Sequence, residues 1–312
     1  VLRGNESYKS ATTFEGHRGR LFGIAYRMLG SKADAEDIIQ ETYLRWHEAD
    51  KDRIHTPEAW LVSVATRLSI DRLRSSAVQR EAYVGPWLPE PLVGSPFPSL
   101  DEQIDLKSNI SMAFMVLLER LAPEERAAFL LHDVFGSDYS EIAGMLEKTE
   151  ASCRQIVHRA RERLRRAHRR FEVTEEDRIR LVEKFSAAVE AQDENSLLAL
   201  FAEDVTLTGD GGGKVPAATR IIRRPENITR LFIGLMRKFS GRVKLIRVLI
   251  NGEPGLISYR DGKLLSALAF ETDGEQILAL YHVLNPEKLS AIRPAQISTS
   301  QGTVAQDEGT LA

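Results

Sequence analysis

Apolar residues recur at helical spacing through the first half of the chain and at mixed spacing through the second. From Phe14 to Ser76 the period is almost wholly helical. Leu21, Phe22, Ala25, Tyr26 and Leu29 form one stripe, which Gly30-Ser31 interrupts. Acids open the next helix at Asp34, Glu36 and Asp37, as the helix dipole favours, and Ile38, Ile39, Tyr43, Leu44 and Trp46 give it an apolar side. Thr56-Pro57-Glu58 starts a third helix that runs through Trp60, Leu61, Val64, Leu68, Ile70 and Leu73. Residues 1–13 are polar and are expected to be mobile. Residues 77–100 are dense in proline and glycine, which predicts an extended linker. Trp87, Leu88, Leu92 and Phe97 are too apolar for a solvated tether, so part of it is expected to dock on a surface.

Helical spacing resumes in 101–170 and ends in two helices joined by a tight break. Tyr139, Ile142, Ala143 and Leu146 give the first an apolar face; Ile156, Ala160 and Leu164 line one side of the second. The second carries eight arginines between Arg154 and Arg170 against one acid, Glu162. A charge run alone usually means a solvated face. A two-helix layout with an apolar seam and a basic second helix points instead to a helix-turn-helix. Its candidate base-reading residues are Ser152, Arg154, Gln155, His158, Arg159 and Arg161, because guanidinium groups neutralise phosphates and bond guanine edges.

The 174–291 stretch reads as a separate α+β unit. Thr174 and Asp193 cap two amphipathic helices, Val205 and Leu207 suggest a strand, and Pro225 starts another helix. Strand-like runs follow at 243–250, 256–260, 263–271 and 276–283, with Asp261-Gly262 and Asp273-Gly274 as hairpin turns. The expected order is two helices, strand, helix and a curled antiparallel sheet. Residues 292–312 are polar and expected to be disordered.

The 312 residues carry a net charge of −3, but the basic and acidic stretches are segregated, so a near-neutral total does not argue against a nucleic-acid partner. The single cysteine, Cys153, rules out an internal disulfide or a thiolate metal cluster, and suits a reducing cytoplasm. It reads as a packing residue. No apolar run is long enough to span a bilayer, and neither a signal peptide nor a membrane partner is expected. Catalysis in the last unit would need an acid or base such as Asp204, Asp210 or His282 with a donor such as Tyr259, yet no spacing joins them into a constellation. No catalytic residue, metal site or cofactor is expected. The glycine-rich DGGGK at 210–214 lacks the spacing of a phosphate loop.

Three ordered pieces carry a family resemblance: AYRMLGSKADAEDIIQETYLRWHEA at 25–49, PEAWLVSVATRLSIDRLR at 57–74, and LAPEERAAFLLHDVFGSDYSEIAGMLEKTEASCRQIVHRARERLRR at 121–166. They resemble regions 2 and 4 of an extracytoplasmic-function (ECF) RNA polymerase sigma factor. The last unit resembles the SnoaL-like, NTF2-like α+β cone. With WLPEP at 87–91, DGGGK at 210–214 and NPEKL at 285–289, the chain is similar to the SigJ-type subgroup.

The resemblance implies a multidomain fold: two all-α sigma domains, a region 2 helical bundle at 14–76 and a region 4 helix-turn-helix at 101–170, plus the α+β cone. It implies core RNA polymerase and promoter DNA as partners, with no dedicated anti-sigma factor. Asp34, Glu36, Asp37, Gln40 and Glu41 would dock on the polymerase clamp helices. Arg53, His55, Trp60, Arg67, Arg72 and Arg74 would handle the −10 element, and the helix-turn-helix the −35 element. Many members place Asn where Arg67 stands, so no base preference at the −10 element carries over. Trp87, Leu88, Pro89, Glu90 and Pro91 of the linker and Asp210, Gly211, Gly212, Gly213 and Lys214 of the cone would form an internal regulatory dock, with Lys214 pairing Glu90. The other readings are a ligand-sensing helix-turn-helix regulator and a cone enzyme with a DNA-binding appendage.

Overall fold

A computed structural model describes residues 2–94, 110–167, 173–239 and 241–292. The chain divides into two units, one of residues 1–83 with 97–170 and one of 84–96 with 171–312.

In the first unit α1 (Leu2–Leu29), α2 (Lys32–Glu48) and α3 (Pro57–Glu81) pack together. Gly30 ends α1 at a positive φ of 66°, a conformation that favours glycine. Ser31 then caps α2 by accepting a hydrogen bond from Asp34 N at 3.2 Å. Leu21, Ala25, Ile38, Leu61 and Ala65 lie in the shared core. Truncating Leu61 to Ala there would cost about 2–5 kcal/mol.

Two expectations fail here. The polar segment is helical from Leu2 on, because packing anchors it: the Trp46 indole donates to Ser10 O at 2.9 Å, and buried Phe14 meets Tyr43 edge-on at 5.0 Å. Tyr43 and Leu44 are exposed, since the buried positions of α2 are Ala35, Ile38, Ile39, Thr42 and Trp46.

The same unit continues with α4 (Met112–Leu118), α5 (Pro123–Phe129) and a π turn at Leu130–Val134. Next comes α6 (Tyr139–Leu146), opened by a capping box in which Asp138 Oδ1 accepts from Glu141 N at 2.8 Å and Glu141 accepts from Asp138 N at 3.2 Å. Glu147 turns left-handed at φ 55°, Thr149 accepts from Ser152 N at 3.2 Å, and α7 (Glu150–Ala167) begins. Cys153, Ile156, Val157 and Ala160 make its buried seam. Burial raises the Cys153 thiol above its ordinary pKa, as fits a packing residue.

In the second unit Thr174 caps α8 (Glu175–Ala191) and Asp193 caps α9 (Glu194–Ala199), as the sequence predicts. Then come β1 (Phe201–Asp210), β2 (Ile222–Arg223), α10 (Pro225–Lys238), β3 (Val243–Ile250), β4 (Glu253–Arg260), β5 (Lys263–Thr272), β6 (Ile277–Val283) and the short α11 (Pro286–Leu289). The strand order is β2-β1-β6-β5-β4-β3. β1 runs parallel to β6 and every other pair is antiparallel, so the sheet is mixed rather than purely antiparallel. Asn251-Gly252 and Asp261-Gly262 hold positive φ at both positions, the requirement of tight hairpin turns. Phe185, Phe232, Leu256, Leu268 and Leu280 belong to the core between sheet and helices.

The segment at 84–94 is not a free linker. α3 runs to Glu81, and the segment packs within the second unit, with Leu88, Leu92 and Val93 buried. The expected tail at 292–312 and the start of the expected region 4 domain at 101–109 lie almost wholly outside the described residues.

Candidate nucleic-acid and polymerase interface

Four of the six candidate base readers share the outer face of α7. Arg154, Gln155, His158 and Arg159 are exposed, opposite the buried seam. Arg154 is steadied by Glu150 at 2.8 Å and lies 5.2 Å from the Tyr139 ring centroid. A solvated guanidinium held this way keeps its charge and pays little entropy to meet a second anion. Ser152 is half-buried in the first turn. Arg161 is already engaged: Asp133 accepts two hydrogen bonds from it at 2.8 and 2.6 Å. That pair raises its pKa and makes it a brace between α7 and the π turn rather than a free reader.

The basic residues of α3 stand differently. Arg67 donates to Met145 O at 2.9 Å and Gly144 O at 3.2 Å, carbonyls in the last turn of α6, and lies 3.3 Å from Glu147. A cation at orphan carbonyls of a helix C-terminus is favoured by both hydrogen bonding and the dipole. Arg74 pairs with Glu124 at 2.6 Å, and Glu124 also takes Lys148 at 2.9 Å. The hydrogen bond from Lys148 is the main reason the Glu124 carboxyl sits below its ordinary range. Buried Arg126, on α5, donates to Met28 O at 2.6 Å in the last turn of α1 and pairs with Glu119 at 2.7 Å. Each sigma-like half thus sends an arginine to the C-terminus of a helix in the other.

Arg72 bonds Asp34 from Nε at 2.9 Å, so Asp34 ties α2 to α3 instead of facing outward alone. Arg53 and His55 are exposed in the loop before α3, with Arg53 3.2 Å from Asp50. Trp60 is half-buried against Trp46, with centroids 5.6 Å apart. On α2, Glu36, Asp37 and Gln40 are exposed, and Glu41 pairs with Arg45 at 2.9 Å. Leu44, 49% exposed, follows Gln40 by one turn on the same outward face. The sequence pattern assigns Leu44 to the apolar side of α2, whereas the structure leaves it exposed among acids.

Residues 13–78 match the family Sigma-70 region 2, and residues 111–164 match Sigma-70, region 4. The ECF RNA polymerase sigma factor SigJ of Mycobacterium tuberculosis is 38% identical over 296 residues, covering 89% of this chain and 92% of that protein. The chain belongs to the ECF RNA polymerase sigma factors. The probable ECF sigma factor SigI of the same organism is 26% identical over 287 residues, covering 91% of this chain and 96% of that one. The crystal structure of M. tuberculosis SigJ matches with a TM-score of 0.73 at 34% identity, covering 90% of this chain and 98% of that one, so the likeness extends through the C-terminal α+β unit. The two all-α regions and this added unit are the architecture of a SigJ-type ECF factor. As a sigma factor it binds RNA polymerase and directs it to promoters, working by binding rather than by turnover. No helix among the described residues is long and apolar enough to cross a membrane.

The ECF factor's cone holds the 84–94 segment through a buried polar clasp. Asp210 Oδ2 accepts from Leu88 N at 2.8 Å and from Lys288 Nζ at 2.7 Å, while Lys288 also donates to Leu88 O. Lys288 Nζ lies 4.1 Å from the Trp87 ring centroid. Further along, Leu92 N donates to Asn251 Oδ1 at 2.9 Å and Asn251 N to Leu92 O at 2.8 Å, and Gly94 N donates to Leu249 O at 3.0 Å. Pro89, Glu90 and Pro91 are buried between these two anchors. Gly213, at φ 71°, leaves room for Val84: an added Cβ would lie 3.1 Å from the Val84 Cβ. At Gly211 a Cβ would meet Val215 O at 2.6 Å, so glycine is required there, and Gly212 also holds a positive φ, 58°.

The expected Lys214–Glu90 pair is absent. Lys214 pairs with Glu287 at 2.8 Å, because the turn points it toward α11. Lys288, within the NPEKL motif, is the lysine that grips the segment. Sequence reasoning singled out the motif but not this residue, nor Asn251.

Proposed function

We propose that this ECF factor reads the −35 element with Arg154, Gln155, His158 and Arg159 and docks on core polymerase with Glu36, Asp37, Gln40 and Leu44. The α3 side, with Arg53, His55, Trp60, Arg67, Arg72 and Arg74, serves the −10 element, and its free chain is held closed until polymerase opens it. The observation carrying the last point is the engagement of Arg67 by the α6 carbonyls. A short Asn at that position would not span to those carbonyls, which accounts for an arginine where many relatives carry Asn. Arg67 cannot serve promoter DNA and α6 at once, so docking on polymerase has to separate the two regions. The pairs that Arg67 and Arg74 make in this closure are solvent-exposed and individually worth about 0–1 kcal/mol; the buried bond from Arg126 to Met28 O is the stronger contact that a polymerase interface has to outweigh.

The cone regulates the sigma module in cis, through the 84–94 segment that links regions 2 and 4. Fixing this segment fixes the length of chain left to span the two DNA-reading regions, and tethering keeps weak contacts effective. A separate anti-sigma protein is then dispensable, and the work is done in the cytoplasm with RNA polymerase. The test is in vitro transcription with core polymerase from promoters selected by the full chain. Arg154→Ala should shift −35 preference, and Asp210→Ala should change transcript yield without abolishing core binding. Unchanged yield and preference in both variants would contradict the reading.

A further inference from the structure

The cone contains a cavity of about 300 Å³, within the range of small-molecule sites. Its walls are mostly apolar, with Phe185, Phe232, Leu256 and Leu268 among them. Three uncharged polar side chains reach it from the sheet: Ser258, Ser266 and His282. The two serine hydroxyls satisfy one another at 2.6 Å. His282 does not have that relief. It is 8% exposed, lies 6.0 Å from the Phe232 centroid, and has no hydrogen-bond partner among the described residues. Burial lowers its pKa to about 4, so the ring is neutral near pH 7 and presents one donor and one acceptor. A neutral donor and acceptor opening on an otherwise apolar cavity favour a neutral polar atom there rather than an ion.

The mouth has the opposite character. Arg260 and Lys238 converge on one ring: the guanidinium carbon is 4.7 Å and the ammonium 5.3 Å from the Phe239 centroid. Both line the cavity, and neither forms an ion pair among the described residues. The nearby carboxylate of Asp261 is taken by Arg242, its bidentate partner. Arg260 acts on the Asp261 carboxylate only at a distance, so two cations on one ring at the rim of an apolar pocket define a place for an anion.

We propose that the cone cavity binds an amphipathic carboxylate, its apolar body in the pocket and its carboxylate between Lys238 and Arg260, with His282 meeting a hydroxyl or carbonyl of the bound molecule. The sigma factor would thereby carry a receptor site for an organic acid within its own chain. Binding there does not depend on how the cone acts on transcription, so the two ideas stand or fall separately.

The test is calorimetric titration of the full chain with decanoate, decan-1-ol and decylammonium, each below its micelle concentration. One decanoate should bind per chain, and decylammonium should bind at least about tenfold more weakly, the gap expected for a ligand that meets two cations with the wrong sign. The double variant Lys238→Glu/Arg260→Glu should reverse that preference while keeping the thermal midpoint. Lys238→Ala, on an exposed residue, should weaken decanoate several-fold and serves if the double variant unfolds. Absence of saturable one-to-one decanoate binding would overturn the proposal. Equal affinity for the three probes, or a decanoate preference untouched by these substitutions, would also overturn it.

Discussion

The sigma module and the cone each use a charged side chain to grip backbone carbonyl groups, but in opposite surroundings. Arg67 holds the end of α6 from a side chain 48% exposed, beside a Glu147 that is 77% exposed. Lys288 and Asp210 hold Leu88 from side chains 12% and 0% exposed. In water the ion pair is screened within about 8–10 Å by salt, and its loss is nearly balanced by hydration. In the dry clasp neither charge has water to fall back on, so losing one partner strands the other. Similar chemistry therefore makes a latch in one unit and a fixture in the other.

The fixture should give the largest effect. Asp210→Ala should destabilise the second unit by about 3–5 kcal/mol and raise amide exchange at Leu88, since the buried Lys288 ammonium loses its carboxylate and Leu88 N its acceptor. The double variant Asp210→Ala/Lys288→Ala should cost less than the sum of the singles, because it strands no charge. A chemical denaturation cycle checks both statements. Equal and additive small losses would show that the clasp is as wet as the latch.

A second consequence of the dry interior is pH-dependent. His282 in the folded cone titrates at about 4, against an ordinary value of 6.5. Between those values the unfolded chain binds more protons than the folded one, so stability falls as pH drops from 6.5 towards 4. The loss is on the order of 3 kcal/mol from this group. His282→Phe should flatten that part of the profile, and an unchanged slope would mean the ring is hydrated.

On the DNA side the expected effects are intermediate. Arg154→Ala should weaken a matched −35 element by about 1–3 kcal/mol and relax its sequence preference, whereas Arg165→Ala should weaken all duplexes alike with a shallower salt slope. Promoter selection and binding at several salt concentrations separate the two. The smallest effect on stability belongs to the latch: Arg67→Ala should cost under about 1 kcal/mol. Arg67→Lys should not restore it, since an ammonium lacks the planar fork that reaches two adjacent carbonyls.

What the sequence conveys follows the same division. The helices of the sigma module and the helix-turn-helix are legible because their cores depend on local periodicity. So are the hairpin at Asp261-Gly262 and the caps at Thr174 and Asp193, which are short-range chemistry. Tyr43 and Leu44 mislead because a periodic pattern cannot tell an exposed apolar residue from a buried one. The partners of Arg67 are backbone carbonyls nearly eighty residues away in sequence, which no side-chain motif advertises. Lys214 and Lys288 are equal as letters, and only the placement of α11 after β6 sends one to Glu287 and the other to Asp210. The parallel β1–β6 pair is likewise a matter of long-range connection, and the two-residue β2 is too short to leave a pattern.

On our proposal the free sigma factor is closed by a latch that includes Arg67 and that polymerase releases. Spin labels at Glu48 on α2 and Arg165 on α7 allow the distance between the two regions to be measured by pulsed electron resonance. The free wild-type chain should give one short, narrow distribution. Arg67→Ala, or salt raised to about 0.5 M, where screening extends over only a few ångströms, should broaden it, and bound core polymerase should shift it to a long distance. The same short distribution in the free, substituted and polymerase-bound protein would contradict the account.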